Sequence, residues 1–161
     1  MDAWQVRAAE PDEAAPCVAV AEGLPDSFNE SGIAQLRRDL GTDPAIVAVL
    51  GGEIVGFVVT RRKTPGIAEI AWLAVARRFQ RRGIGTALMD AAEGDARGAG
   101  VRLTEVKTLD ASEPSAEYDA ARRFYEGRGY ELLETIDPFP DWEPGNPCAI
   151  YVKVLGPDGV G

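Results

Sequence analysis

The sequence predicts an α+β domain built on one mixed β-sheet, and three observations carry that prediction. Ala45–Leu50 and residues 54–60 are apolar, β-branched runs joined by Gly51-Gly52, a hairpin signature. Ile67–Val75 follows a Pro65-Gly66 turn and extends the hairpin into an antiparallel meander. A helical stretch over about 83–97 then separates this strand from 101–107, and strand, helix, strand in that order demands a right-handed crossover with parallel pairing.

The other elements fall around this centre. Trp4–Ala8 alternates as an edge strand. Pro11, Asp12 and Glu13 supply proline and acids for the first turn of a helix that breaks at Gly23-Leu24-Pro25. Residues 29–40 form a second helix with Ile33, Leu36 and Leu40 on one face and Gly41 as its C-cap, and the two short helices with their loop make a mobile wall. Gly98-Ala99-Gly100 ends the third helix, and 101–107 alternates apolar and polar residues as a half-exposed strand. Residues 115–128 form a fourth helix closed by Gly129, and 130–135 with 149–154 give the last two strands.

At 161 residues and 45% apolar content the chain suits one domain, 1–155, with 156–161 as a loose tail. A net charge of −9 argues against nucleic acid as a partner and favours cationic acceptors. Histidine is absent, so Ser-His-Asp and Cys-His chemistry is excluded and a zinc site is not expected. Cys17 and Cys148 form no paired motif, which fits a reducing, cytoplasmic setting. Neither a signal peptide nor an apolar run of the ~20 residues that span a bilayer is present, so no membrane association is expected.

The stretch from Leu73 to Met89 carries the chemistry. It reads as strand, arginine-rich turn and helix, with Ile84, Ala87, Leu88 and Ala91 on one helical face. Arg77, Arg78, Arg81 and Arg82 precede a helix N-terminus that is already partly positive, an arrangement that calls for an anion. Gly83 and Gly85 let a ligand approach the backbone, so the turn reads as a phosphate cradle. No Gly-Lys-Ser/Thr follows, and Leu88 stands where a dinucleotide fingerprint needs its third glycine.

Gln80-Arg81-Arg82-Gly83-Ile84-Gly85 instead fits the pattern Gln/Arg-x-x-Gly-x-Gly/Ala, and here the sequence resembles the GNAT superfamily of acyl-CoA-dependent N-acetyltransferases. The resemblance covers nearly the whole domain. It implies about seven strands with four helices, in the order β-α-α-β-β-β-α-β-α-β-β, with acyl-CoA entering where strand four parts from strand five. It also implies acetyl-CoA as cosubstrate, no metal, and a coenzyme site formed by Leu73, Ala74, Val75, Gln80, Arg81, Arg82, Gly83, Ile84, Gly85 and Thr86.

A second motif, from Ala121 through Phe124-Tyr125 to Gly129-Tyr130, is similar to the family's Ala-x-x-Phe-Tyr-x-x-x-Gly-Phe/Tyr segment. The resemblance makes Tyr125 the general acid for the departing thiolate, and a phenol of pKa ~10 is protonated at neutral pH. Ala68-Glu69-Ile70 resembles the segment in which lysine acetyltransferases carry a glutamate base, so Glu69 is the candidate base and Glu105 the second choice. Tyr118 departs from the family, standing where an asparagine often holds the coenzyme arm.

The expected reaction is direct attack of a primary amine on the thioester in a ternary complex, without a covalent enzyme intermediate. The acceptor is a small-molecule amine or a protein lysine or N-terminal amine, selected by walls at 24–31, 110–114 and 136–147, the last combining Phe139 and Trp142 with acids. The alternative is a non-catalytic acyl-CoA-binding regulatory module. The family's C-terminal strands often pair between subunits, which makes a homodimer compatible with the sequence.

Overall fold

The structure, a computed structural model, describes residues 3–113 and 115–156. Met1, Asp2, Pro114 of one expected wall, and 157–161 of the expected tail lie outside the described residues. Strands β1 (Trp4–Ala8), β2 (Ala45–Leu50), β3 (Glu53–Thr64), β4 (Ile67–Val75), β5 (Leu103–Leu109), β6 (Glu131–Ile136) and β7 (Cys148–Val154) form one sheet in the order β1-β2-β3-β4-β5-β7-β6. Only β4 and β5 are parallel; the other neighbours are antiparallel. The helices are α1 (Ala14–Glu22), α2 (Glu30–Leu40), α3 (Ile84–Gly98) and α4 (Ala116–Gly127), with a 3-10 turn at Arg77–Phe79. No helix among the described residues is long and apolar enough to cross a membrane.

Two elements start two or more residues later than the sequence suggested. Helix α1 begins at Ala14 because Glu13 is held outside it: its carboxylate accepts from the Glu10 N–H at 2.7 Å and from Arg7 at 2.7 and 2.8 Å. Strand β5 begins at Leu103 because the Val101 N–H still bonds Ala96 O at 2.9 Å, while the Arg102 and Leu103 N–H groups turn to Gly66 O. Its fully inward residues are Thr104, Val106 and Thr108, where simple apolar alternation would have chosen Leu103. Helix α2 starts as expected, with Asn29 accepting from the Gly32 N–H at 2.8 Å.

The sheet separates two layers of core. Helices α1 and α2 set Cys17, Val18 and Leu36 against Val47, Phe57, Val59 and Ala74. Helices α3 and α4 set Ile84, Leu88, Met89 and Tyr125 against Val58, Ile70, Val106 and Tyr151 on the opposite face. Each such large apolar side chain contributes about 1.5–3 kcal/mol through burial.

What positions the site is a fault in β4. Val59 faces Trp72 and Thr60 faces Ile70, so Ala71 is an extra residue in the strand. The bulge turns Ala71 and Trp72 both toward the α1/α2 core and bends β4. Parallel pairing with β5 runs only from Ile67↔Leu103 to Ile70↔Val106, although β4 continues to Val75. Strand β5 meanwhile follows β7 as far as Leu109↔Cys148. The two central strands therefore part like a wedge beyond Ile70 and Val106.

Candidate active site at the strand gap

The backbone that faces the wedge follows from the register. The Ala76 N–H bonds Val55 O at 2.8 Å, which makes that opposed pair a hydrogen-bonded one. Antiparallel alternation then commits Ala74 and Trp72 to β3 and turns the N–H and C=O groups of Leu73 and Val75 away from it, into the gap. Consistent with this, Gln80 Nε2 reaches back and donates to Val75 O at 3.0 Å. Leu73 and Val75 thus present backbone to the gap, whereas Ala74 has its side chain in the α1/α2 core and its backbone against Phe57.

Past the strand end the chain makes a concave turn. Arg81 has φ 64° and Gly83 φ 87°, both left-handed, and α3 begins with no side-chain cap. Its first backbone bond is from the Ala87 N–H to Gly83 O at 3.0 Å. The N–H groups from Arg81 to Thr86 find no protein acceptor among the described residues, and successive unpaired N–H groups at a helix start form an anion site. Ile84 takes part through its backbone alone, because its side chain is in the core. Gly85 lies against the Phe124 ring and Val75, with room for an ordinary contact only.

The four arginines divide. Arg77 lies 3.7 Å from Asp26 and Arg78 lies 3.2 Å from Glu53, so both have protein carboxylates as partners. Arg81 and Arg82 have none among the described residues, and the Arg82 guanidinium rests over the Phe79 ring at 5.3 Å. Excess positive charge is therefore concentrated on the two residues inside the turn.

Tyr125 approaches the gap from α4. Its ring is buried with Ile70 and Val106, with Leu73 and Val75 packed at the margin of the same cluster. Among the described residues its hydroxyl has no protein hydrogen bond, and the residue keeps 8% of its surface exposed. Burial pushes the phenol above the usual tyrosine range, which keeps it a proton donor. Tyr118, half-buried on the first turn of α4, is raised by the same cause and then by Glu117. A groove of about 650 Å³ between α3 and α4 runs from Thr86 and Phe124 down to Lys153.

Glu69 lies on the other face. Ile70 points into the Tyr125 layer, so Glu69 points toward the α1/α2 side, where it is buried at 7% exposure. Lys107 Nζ is 3.3 Å from Glu69 Oε2 and 3.7 Å from Glu105 Oε1, and Arg61 is 3.9 Å from Glu69 Oε1. Glu105 also takes Lys63 at 3.0 Å. Phe139 covers Lys107 at 5.3 Å and meets Trp142 edge-on. Nearby, the Trp72 indole N–H donates to Asp39 at 2.7 Å while Phe28 stacks on its ring.

The structure thus gathers Leu73, Val75 and the cradle at the wedge, and sets Tyr125 and Glu69 on its two sides. Sequence reasoning missed Lys107, Asp39 and Trp72. The only advance signal for Lys107 was its parity with Glu105, two residues earlier on one strand.

Residues 11–130 match the acetyltransferase (GNAT) family. No curated protein sequence matches the chain significantly. Among solved structures, a GNAT-family protein from Desulfovibrio desulfuricans is 23% identical with a TM-score of 0.83, over 96% of this chain and 100% of that one. A GNAT acetyltransferase from Elizabethkingia anophelis with acetyl-CoA bound is 18% identical, TM-score 0.71, over 94% and 98%. An aminoglycoside 6′-N-acetyltransferase complexed with coenzyme A is 17% identical, TM-score 0.73, over 95% and 98%. At these identities the likeness shows a shared fold. The family match, spanning the hairpin, the wedge, the cradle and α4, shows more: the chain belongs to the GNAT family of acetyltransferases, enzymes of acyl transfer from acetyl-CoA.

Proposed function

We propose that the chain transfers an acetyl group from acetyl-CoA to a primary amine by direct attack in a ternary complex. The observation that supports this most is the wedge itself, where the backbone of Leu73 and the N–H of Val75 face the gap without a strand partner and run directly into the unpaired N–H groups of the cradle. The coenzyme's pyrophosphate lies on the N–H groups from Arg81 to Thr86, with Arg81 and Arg82 supplying charge. Its pantetheine pairs with Leu73 and Val75 as an added strand. A backbone N–H of Leu73 or Val75 polarises the thioester carbonyl and holds the oxyanion of the tetrahedral intermediate.

The amine enters from the α1/α2 face, where Glu69 takes its proton directly or through water. Tyr125, on the far side of the wedge, protonates the coenzyme thiolate. Small polyamines of the aminoglycoside kind and lysine or N-terminal amines of peptides are the acceptors to test. Two buried, unpaired cysteines support a reducing, cytoplasmic setting. The open β6 edge, with Leu132 and Leu133 exposed, supports pairing between two copies.

The test is thermal stabilisation by acetyl-CoA together with thiol release across an amine panel. Binding at about 100 times Kd stabilises by about 2.7 kcal/mol, and thiol release should depend on added amine. Stabilisation with no turnover on any amine would instead support a binding module.

A further inference from the structure

The chain has three lysines, and their surroundings differ. Lys63 donates a 3.0 Å hydrogen bond to Glu105, and Lys153 donates a 2.8 Å hydrogen bond to Glu93 beneath α3 and α4. Lys107 sits between Glu69 and Glu105 under the Phe139 ring and makes no hydrogen bond among the described residues. It is also the first β5 residue beyond the last β4–β5 pair, so it stands at the mouth of the wedge. Leu73 lies on the opposite bank of the wedge, within two residues' rise of Lys107, about 3–7 Å measured along the strands.

An ammonium beside a candidate base, in an acid and aromatic enclosure, is what an acceptor amine would look like on arrival. Resting on the acetyl-transfer reading above, we propose that Lys107 is itself an acceptor, a self-acetylation site at the mouth of the wedge. Glu69 accepts a proton from the Lys107 ammonium, and the freed Nζ lone pair attacks the thioester carbonyl carbon. The new C–N bond forms, the C–S bond breaks, and the thiolate takes the Tyr125 proton. Nζ sheds its second proton as the intermediate collapses; of the two protons lost, one replaces that of Tyr125 and one passes to water. The product is a neutral amide at Lys107, which removes the nearer of the two cations beside Glu69, leaves Arg61 at 3.9 Å, and frees Glu69 Oε2 for an incoming amine.

The experiment incubates the full chain with acetyl-CoA and no added amine, then maps acetylation on the three lysines by mass spectrometry. Lys107 should take up one acetyl group while Lys63 and Lys153 stay free, at a rate unchanged over roughly tenfold dilution because the reaction is intramolecular. That rate should fall about tenfold or more in Tyr125→Phe. An unmodified Lys107, acetyl spread evenly over the three lysines, or an unchanged rate in Tyr125→Phe overturns the proposal. Turnover of added amines without Lys107 labelling removes this inference alone; labelling without turnover of any added amine removes only the external acceptor.

Discussion

Tyr130 stands edge-on to Tyr125, with ring centroids 5.6 Å apart at 67°, and its hydroxyl is fixed at both ends: 2.9 Å from Thr104 Oγ1 and donating to Glu93 Oε2 at 3.0 Å. Glu93, fully buried, is held in turn by Lys153 at 2.8 Å and Arg128 at 3.1 Å. The ring that orients the proposed acid is therefore anchored by a charged network under the sheet. Removing the hydroxyl in Tyr130→Phe strips partners from two buried groups, at a cost of about 1–3 kcal/mol in stability. Denaturant melts should show that loss, and kcat should fall more than the KM for acetyl-CoA rises.

The cradle predicts a separation between strain and binding. Gly83 has φ 87° and borders the unpaired N–H groups, while Gly100 has φ 86° with open space around it. Alanine at either position costs about 1–2 kcal/mol, because a Cβ opposes the left-handed conformation. Only Gly83→Ala should also weaken acetyl-CoA binding. Calorimetric titration of both variants at a temperature where each is folded checks this.

For Glu69 the expectation concerns pH. Without the carboxylate, an amine reacts only through its free-base fraction, which rises tenfold per pH unit below the amine's own pKa. Glu69→Gln should therefore lose about tenfold or more in kcat/KM near neutrality, with the deficit shrinking as pH rises. A constant deficit across pH 6–9 would assign Glu69 to packing around Lys107.

Burial pushes the Cys17 and Cys148 thiols up to about 11. The unfolded chain ionises these groups first, so the folded state binds more protons and stability must fall as pH rises from about 9 to about 11. Tyr125 and Tyr130, raised by burial, extend the same trend. Melting temperatures measured across that range should decline, and neither thiol should be alkylated in the native protein at pH 8.

The elements were legible because pattern and turn chemistry agreed: Gly51-Gly52 for the hairpin, Asn29 for the start of α2, and apolar spacing for α3. The cradle was legible because glycines and arginines cluster within a few residues of sequence. What escaped depends on partners distant in the chain. Thr104 is buried because Tyr130 bonds it, Glu93 because Lys153 and Arg128 reach it, and Arg77 and Arg78 are paired with Asp26 and Glu53. The bulge at Ala71 leaves no local mark, since nothing in Ile70-Ala71-Trp72 distinguishes a regular strand from one with an extra residue.

The central claim is that the wedge carries out amine acetylation with Tyr125 as proton donor, and Tyr125→Phe tests it most directly. Amine-dependent thiol release and acetyl-CoA affinity are measured side by side in the wild-type and variant proteins. The account predicts unchanged coenzyme affinity with turnover reduced about a hundredfold or more. Equal turnover by the two proteins at saturating amine would contradict it.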